Sequence, residues 1–166
     1  MAKAGFDIVG AVSGVRREAE QSAESRRARK RRADALSRVP LFAGLSRRHL
    51  LQLADAARIV SFRQGAPIIR EGDLGATLYV IVEGEAKVTR GGKTLVTLAP
   101  GDVFGEVSLL DGGPRTATVA AATPLTAVRL YRTPFFRLVQ AEPAIGVRVL
   151  AQLAKRLRRV DRTVRG

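Results

Sequence analysis

One stretch holds most of the residues that could do chemistry: Phe104-Gly105-Glu106-Val107-Ser108-Leu109-Leu110-Asp111-Gly112-Gly113-Pro114-Arg115-Thr116-Ala117-Thr118-Val119. Val107 to Leu110 suits one turn of helix, and Gly105 at its start lets a ligand come close to the backbone. Free N–H groups at a helix N-terminus attract anions. Arg115 offers a planar fork of donors matched to phosphate, and Thr116 adds a hydroxyl beside it. Glu106 accepts hydrogen bonds at neutral pH and suits a donor such as a sugar hydroxyl. Phosphate donors and a sugar acceptor at opposite ends of one short loop are what a nucleotide needs when its phosphate is held close to its ribose.

Other chemistries lack their residues. A metal-dependent jelly-roll enzyme needs several histidines or carboxylates on one ion, and His49 is the only histidine. His49 falls in a predicted helix and reads as a surface or internally satisfied residue. There is no cysteine, so neither a disulfide framework nor a cysteine metal site can form. No Gly-Lys-Ser/Thr follows a strand, and no nucleophile–histidine–acid set can be assembled. Asp102, after Pro100-Gly101, reads as a turn residue. The expectation is a binding protein with no catalytic residues, no metal and no cofactor beyond its ligand.

The elements that must position this stretch are mostly short strands. Ser46 suits the N-cap of a helix to Ala57, with Leu50, Leu53 and Ala57 on one face. Strands are predicted over 59–62, 67–70, 77–82, 86–89, 95–98, 116–120 and 126–130, separated by glycine and proline turns such as Gly91-Gly92. Their number and spacing point to a mainly β fold, a jelly-roll β-barrel with flanking helices. Thr133-Pro134 predicts a short helix to Gln140. Pro143 opens a longer one, with Val147, Leu150, Leu153 or Ala154, Leu157 and Val160 on its apolar face. Arg148, Lys155, Arg156, Arg158 and Arg159 are assigned to its polar face.

The chain has 166 residues and a net charge of +14. Residues 1–38 and 141–166 each carry an excess of five positive charges. Such ends favour anionic partners, nucleic acid or an anionic membrane surface, or are simply solvated. The run 26–32 has no apolar residue but Ala28, so residues 1–36 read as a basic, flexible extension. Residues 37–166 read as the folded domain. No apolar run is long enough to span a bilayer, and no signal-peptide pattern opens the chain, which suggests a cytoplasmic protein.

The 104–119 stretch closely resembles the phosphate-binding cassette of the cyclic-nucleotide-binding family, which includes protein kinase A regulatory subunits, catabolite activator proteins and cyclic-nucleotide-gated channels. Phe-Gly-Glu, a variable loop, then Pro-Arg-Thr-Ala-Thr meet its pattern. Val39-Pro40-Leu41-Phe42-Ala43-Gly44-Leu45-Ser46 resembles the family's opening. Glu71-Gly72-Asp73 and Leu78 to Gly84 resemble its early β signature. The resemblance implies that Glu106 accepts from the ribose 2′-hydroxyl and Arg115 pairs with the cyclic phosphate. Gly105 and Thr116 or Ala117 would supply backbone donors, with Phe104, Val107 and Ser108 around them. A base cap would come from Leu150, Leu153 or Leu157. cAMP is the favoured ligand and cGMP the alternative, because Thr116 matches a position where a hydroxyl helps accept guanine in some members.

With the sequence stopping at Gly166 after the last helix, the expectation is a stand-alone sensor without a helix-turn-helix. Its final helix would respond to ligand and address a protein partner or a second copy. Two alternatives stand beside it: a nucleic-acid- or membrane-binding protein acting through its arginine-rich ends, and a structural dimer module.

Overall fold

The alternation of Leu78-Tyr79-Val80-Ile81 is apolar on both faces, which a strand needs only when it is covered on both sides. The computed structural model describes residues 8–164, with side chains from 16 to 158. Residues 1–7 and 165–166, the outer ends of the expected extension and of the final helix, lie outside the described residues. In chain order come α1 (Ile8–Ser37), a 3₁₀ turn (Pro40–Phe42), α2 (Arg47–Ala56) and β1 (Arg58–Phe62). β2 (Pro67–Ile69), β3 (Thr77–Glu83), β4 (Ala86–Arg90), β5 (Lys93–Leu98) and β6 (Val103–Phe104) follow. The chain continues with α3 (Glu106–Asp111), β7 (Thr118–Ala121), β8 (Leu125–Tyr131), α4 (Arg132–Ala141) and α5 (Pro143–Val164).

The strands form two antiparallel four-stranded sheets, ordered β1-β8-β3-β6 and β2-β7-β4-β5. They stack as a jelly-roll sandwich and do not close into a barrel. The first sheet works on both faces. Tyr79, Ile81, Phe104, Leu125 and Ala127 meet Ile69, Val88, Leu98 and Val119 of the second sheet. Leu78, Val80, Val103, Val128 and Leu130 meet a helical layer containing Leu36, Phe42, Leu50, Leu53, Phe135, Ile145 and Val149.

Ser46 caps α2 by accepting from the His49 N–H at 3.2 Å. α4 departs from expectation: it begins at Arg132 behind Tyr131 without a side-chain cap, so Thr133 lies inside the helix. The two-residue β6 escaped sequence reading because it is too short to show a period. The seventh strand starts at Thr118 rather than Thr116, since the preceding residues leave the ladder to line a cavity.

The boundary expected at residue 36 runs through α1. Its turns from Arg16 to Arg31 are largely exposed, but Ala33 and Leu36 are buried in the helical core. Two arginines of the basic run anchor it to α2. Arg29 forms a double contact with Asp55, at 2.6 and 2.5 Å, and Arg32 Nε donates to Ala54 O at 3.2 Å. Among the described residues no helix is long and apolar enough to cross a membrane.

A chain beginning at Ala35 should therefore melt at a lower temperature than one beginning at Arg26. Leu36→Ala should cost about 2–5 kcal/mol in urea unfolding, whereas Arg27→Ala should stay within about 0.5 kcal/mol. Equal melting of the two truncated chains would mean that α1 adds no stability before residue 35.

Candidate functional site

Pairing of β6 with β3 sets Phe104 opposite Tyr79, and the two rings stack at 5.0 Å between centroids. The chain then turns sharply at Gly105, whose φ of 80° is left-handed, and α3 begins at Glu106. A side chain at 105 would also collide: its Cβ would lie 2.7 Å from Thr77 O and 2.8 Å from Arg115 Nη1. Glycine is required there by conformation and by space.

Arg115 reaches this corner from the loop after α3. Its N–H donates to Asp73 O at 2.8 Å, and its carbonyl accepts from the Gly72 N–H at 2.8 Å. Nη1 donates to Thr77 O at 2.9 Å and to Gly105 O at 2.8 Å, and Nη2 donates to Thr77 Oγ1 at 2.7 Å. Of the five guanidinium N–H groups, Nε and one on Nη2 have no protein acceptor among the described residues. The side chain lies against Gly75, where an added Cβ would sit 2.3 Å from Nε. Burial pulls the Arg115 guanidinium below its usual value, and Tyr79, Glu106 and Asp73 pull it back up.

Glu106 is only 2% exposed. Its Oε1 accepts from Arg156 Nη1 at 2.6 Å, while Oε2 is buried with no partner among the described residues. Burial raises its pKa above the usual carboxylate value, opposed by the Arg156 charge, backbone and Arg156 hydrogen bonds and the Arg115 charge. Ser108, also buried, donates to Pro114 O at 3.1 Å and ties the helix to the loop that delivers Arg115.

All the cassette residues named from sequence (Phe104, Gly105, Glu106, Val107, Ser108, Arg115, Thr116 and Ala117) line one cavity of about 280 Å³. α5 borders it with Leu153, Arg156 and Leu157, the last of which is 65% exposed. Leu150, named with Leu153 and Leu157 as a cap, does not line it and is exposed. It sits two helical turns before Leu157, about 10 Å away along the axis.

The polar face expected for α5 also needs correction. Arg148 Nη1 donates to Leu41 O at 3.0 Å and to Ala43 O. Gln152 donates to Gly101 O and accepts from the Val103 N–H, both at 3.1 Å. Arg156 donates to Glu106 and to Val103 O. These residues recur at every fourth position, one ladder along the helix, and they hold α5 to the roll beside its apolar contacts. Sequence reading missed Arg156, Gly75 and Thr77 as site residues. The signal for Arg156 was its place one turn after Leu153 on the same face. His49 lies apart, with Nδ1 2.9 Å from Glu142 Oε1. Among the described residues no group of three or more histidine, aspartate or glutamate side chains could hold a metal.

A family model described as cyclic nucleotide-binding domain matches residues 59–142. The cyclic AMP receptor protein of Thermus thermophilus is 38% identical over 128 residues, 74% of this chain. The chain spans 59% of that relative's length. The solved structure of cAMP-bound PfPKA-R superposes with a TM-score of 0.73 at 29% identity, covering 82% of this chain and 48% of that one. The regulatory subunit of a cAMP-independent protein kinase A from Trypanosoma cruzi, bound to guanosine, gives a TM-score of 0.65 at 33% identity. That match covers 73% of this chain and 44% of that chain.

The raised Glu106 pKa predicts a sign for the pH dependence of stability. A carboxyl group whose pKa is raised by folding favours the fold below its unfolded value and loses that contribution as pH rises through the folded value. Urea midpoints should therefore fall as pH climbs above about 4.5, the ordinary carboxylate value. The same interval in Glu106→Gln should lack that component. Parallel profiles for the two proteins would mean that folding does not raise the Glu106 pKa.

Proposed function

The chain belongs to the cyclic-nucleotide-binding domain family, and from that premise we propose that its cavity binds a purine cyclic nucleotide, cAMP in preference to cGMP, without catalysis. One observation carries the reading. A buried carboxylate with an open oxygen and a buried guanidinium with open N–H groups line the same cavity. A cyclic phosphate would satisfy the N–H groups that Arg115 has left over, through charge-assisted hydrogen bonds. A ribose hydroxyl would donate to Glu106. The base would lie against the apolar end, where Leu153 and Leu157 approach from α5.

The two named neighbours supply the competing ligands. One holds cAMP and the other guanosine, a nucleoside that carries no phosphate. Arg115 favours the phosphate-bearing ligand for this chain, because a guanidinium buried to 6% exposure gains most from an anion. The relative named as a cyclic AMP receptor protein supports adenine over guanine.

The output belongs to α5. Ligand contact with Leu153 and Leu157 would favour one position of this helix by as much as the ligand binds the two positions differently. Val147 and Leu150 stay exposed on the same helix, 65% and 61%, and offer apolar surface to a protein partner or a second copy. The chain's work is then that of a cytoplasmic regulatory sensor.

Calorimetric titration should give saturable binding of cAMP, weaker binding of cGMP and much weaker binding of guanosine. Arg115→Ala should weaken cAMP by about 2–5 kcal/mol, roughly 30- to several-thousand-fold. Because Arg115 also holds Thr77 and Gly105, urea unfolding must establish that the variant is folded. A folded variant with wild-type affinity would remove Arg115 from the site.

Amide exchange across residues 145–158 should change when cAMP saturates the protein. Unchanged exchange there would mean that the signal leaves by another element.

A further inference from the structure

From residue 26 to residue 32, α1 has six basic residues and no acid. The structure divides them between two sides of the helix. Arg29 and Arg32 turn to the roll, where they meet Asp55 and Ala54 O. Arg26, Arg27, Lys30 and Arg31 are exposed, and none forms an ion pair among the described residues. Acids that could have neutralised them are committed elsewhere: Glu20 to Arg16, Asp34 to Arg47 and Asp55 to Arg29. Arg26 and Lys30 stand four residues apart, as do Arg27 and Arg31, so like charges stack along two neighbouring ridges. Such stacking disfavours an isolated helix. Here Ala33, Leu36 and the two anchoring arginines hold the helix from its far end, which presents the four cations on a fixed scaffold.

Four free cations fit a phosphate-bearing surface, and the first turns of the same helix decide which kind. Residues 8–15 carry no charge. Ile8, Val9 and Val12 precede Arg26, Arg27 and Lys30 by eighteen residues each. That interval is five whole turns at about 3.6 residues per turn, so these apolar positions fall on the ridges of the free cations, about 27 Å away along the axis. A nucleic-acid backbone is bound through positive charge and gains nothing from an apolar stripe. A lipid surface takes both, cations at its headgroups and apolar side chains at the acyl boundary. We propose that the outer side of α1 is a docking surface for an anionic lipid membrane. The helix lies along the interface, with Arg26, Arg27, Lys30 and Arg31 on the headgroup phosphates and carboxylates. The positions of Ile8, Val9 and Val12 supply the apolar end of the contact. The opposite side of α1 keeps its hold on α2, so docking requires no rearrangement of the roll. The surface is separate from the nucleotide cavity, and the proposal stands whatever that cavity binds.

The test is co-sedimentation of the full chain with vesicles of phosphatidylcholine alone and of phosphatidylcholine containing about one third phosphatidylserine. Short duplex DNA is titrated at the same ionic strength. The wild type should bind the anionic vesicles at least roughly tenfold more tightly than the neutral ones, and the difference should shrink as salt rises. Combining Arg26→Gln, Arg27→Gln, Lys30→Gln and Arg31→Gln should weaken that binding roughly tenfold or more. The melting temperature should stay as it is, because Arg29, Arg32 and Leu36 are untouched. Ile8→Ser with Val12→Ser should weaken vesicle binding roughly fivefold or more, through lost apolar contact. A wild type that ignores anionic vesicles, or binds neutral ones equally well, overturns the proposal. Vesicle binding that either variant retains in full overturns it too. Tighter binding to the DNA than to anionic vesicles assigns the face to nucleic acid and likewise overturns it. If the fourfold variant does not fold, Arg27→Gln with Lys30→Gln decides: weaker vesicle binding supports the proposal and unchanged binding overturns it.

Discussion

A carboxylate that is almost wholly removed from water must be met by positive charge and by donors, or it takes up a proton. Glu106 imposes this demand at the junction of β6 and α3. Its nearest answer comes from Arg156, and a further favourable field comes from Arg115. The three residues lie on separate elements, so the demand is met only when the roll, the loop after α3 and the last helix are all in place. The left-handed turn at Gly105 and the bare surface of Gly75 serve the same end. Each clears the space that one of these charged groups occupies.

The double-faced first sheet explains how so small a domain can support a buried polar corner. β3 gives Leu78 and Val80 to the helices and Tyr79 and Ile81 to the sandwich, so it is fixed from both sides. Thr77, at its start, inherits that rigidity and presents both its carbonyl and its hydroxyl to Arg115. A guanidinium held by two acceptors on a fully packed strand has little freedom left to lose on meeting a ligand. Preorganisation of this sort is what lets a short loop act as a binding element.

What was legible in the sequence was whatever is local. Glu106 and Arg115 sit in one continuous stretch whose residue types already state a chemistry, and the cavity gathers that whole stretch. The longer strands announce themselves through β-type apolar runs bounded by glycine and proline turns. Arg156 was hidden for a physical reason. It reads in sequence as one more arginine of a basic helix, although it stands one turn after Leu153, and only the packing of α5 against the sheet turns it inward while Lys155 and Arg158 stay exposed. Gly75 and Thr77 were hidden likewise, because their importance lies in where the Arg115 side chain comes to rest. β6 offered too few residues for any pattern. The end of α1 misled in the other direction: a strongly basic run masked Ala33 and Leu36 just behind it, which carry the helix into the core.

The polar ladder of α5 has a consequence for how this helix can change over time. Arg148, Gln152 and Arg156 meet acceptors at three places, the 3₁₀ turn, the loop before β6 and the corner between β6 and α3, and their common four-residue spacing lets one helix satisfy all three. An inserted or deleted residue between them would rotate everything beyond it by about 100°. It would break the register of the ladder even if every side chain were retained. Single substitutions remove one rung and leave the others aligned. The length of this segment is therefore under tighter constraint than the identity of any residue in it, and sequence drift should accumulate there as exchanges rather than as gaps.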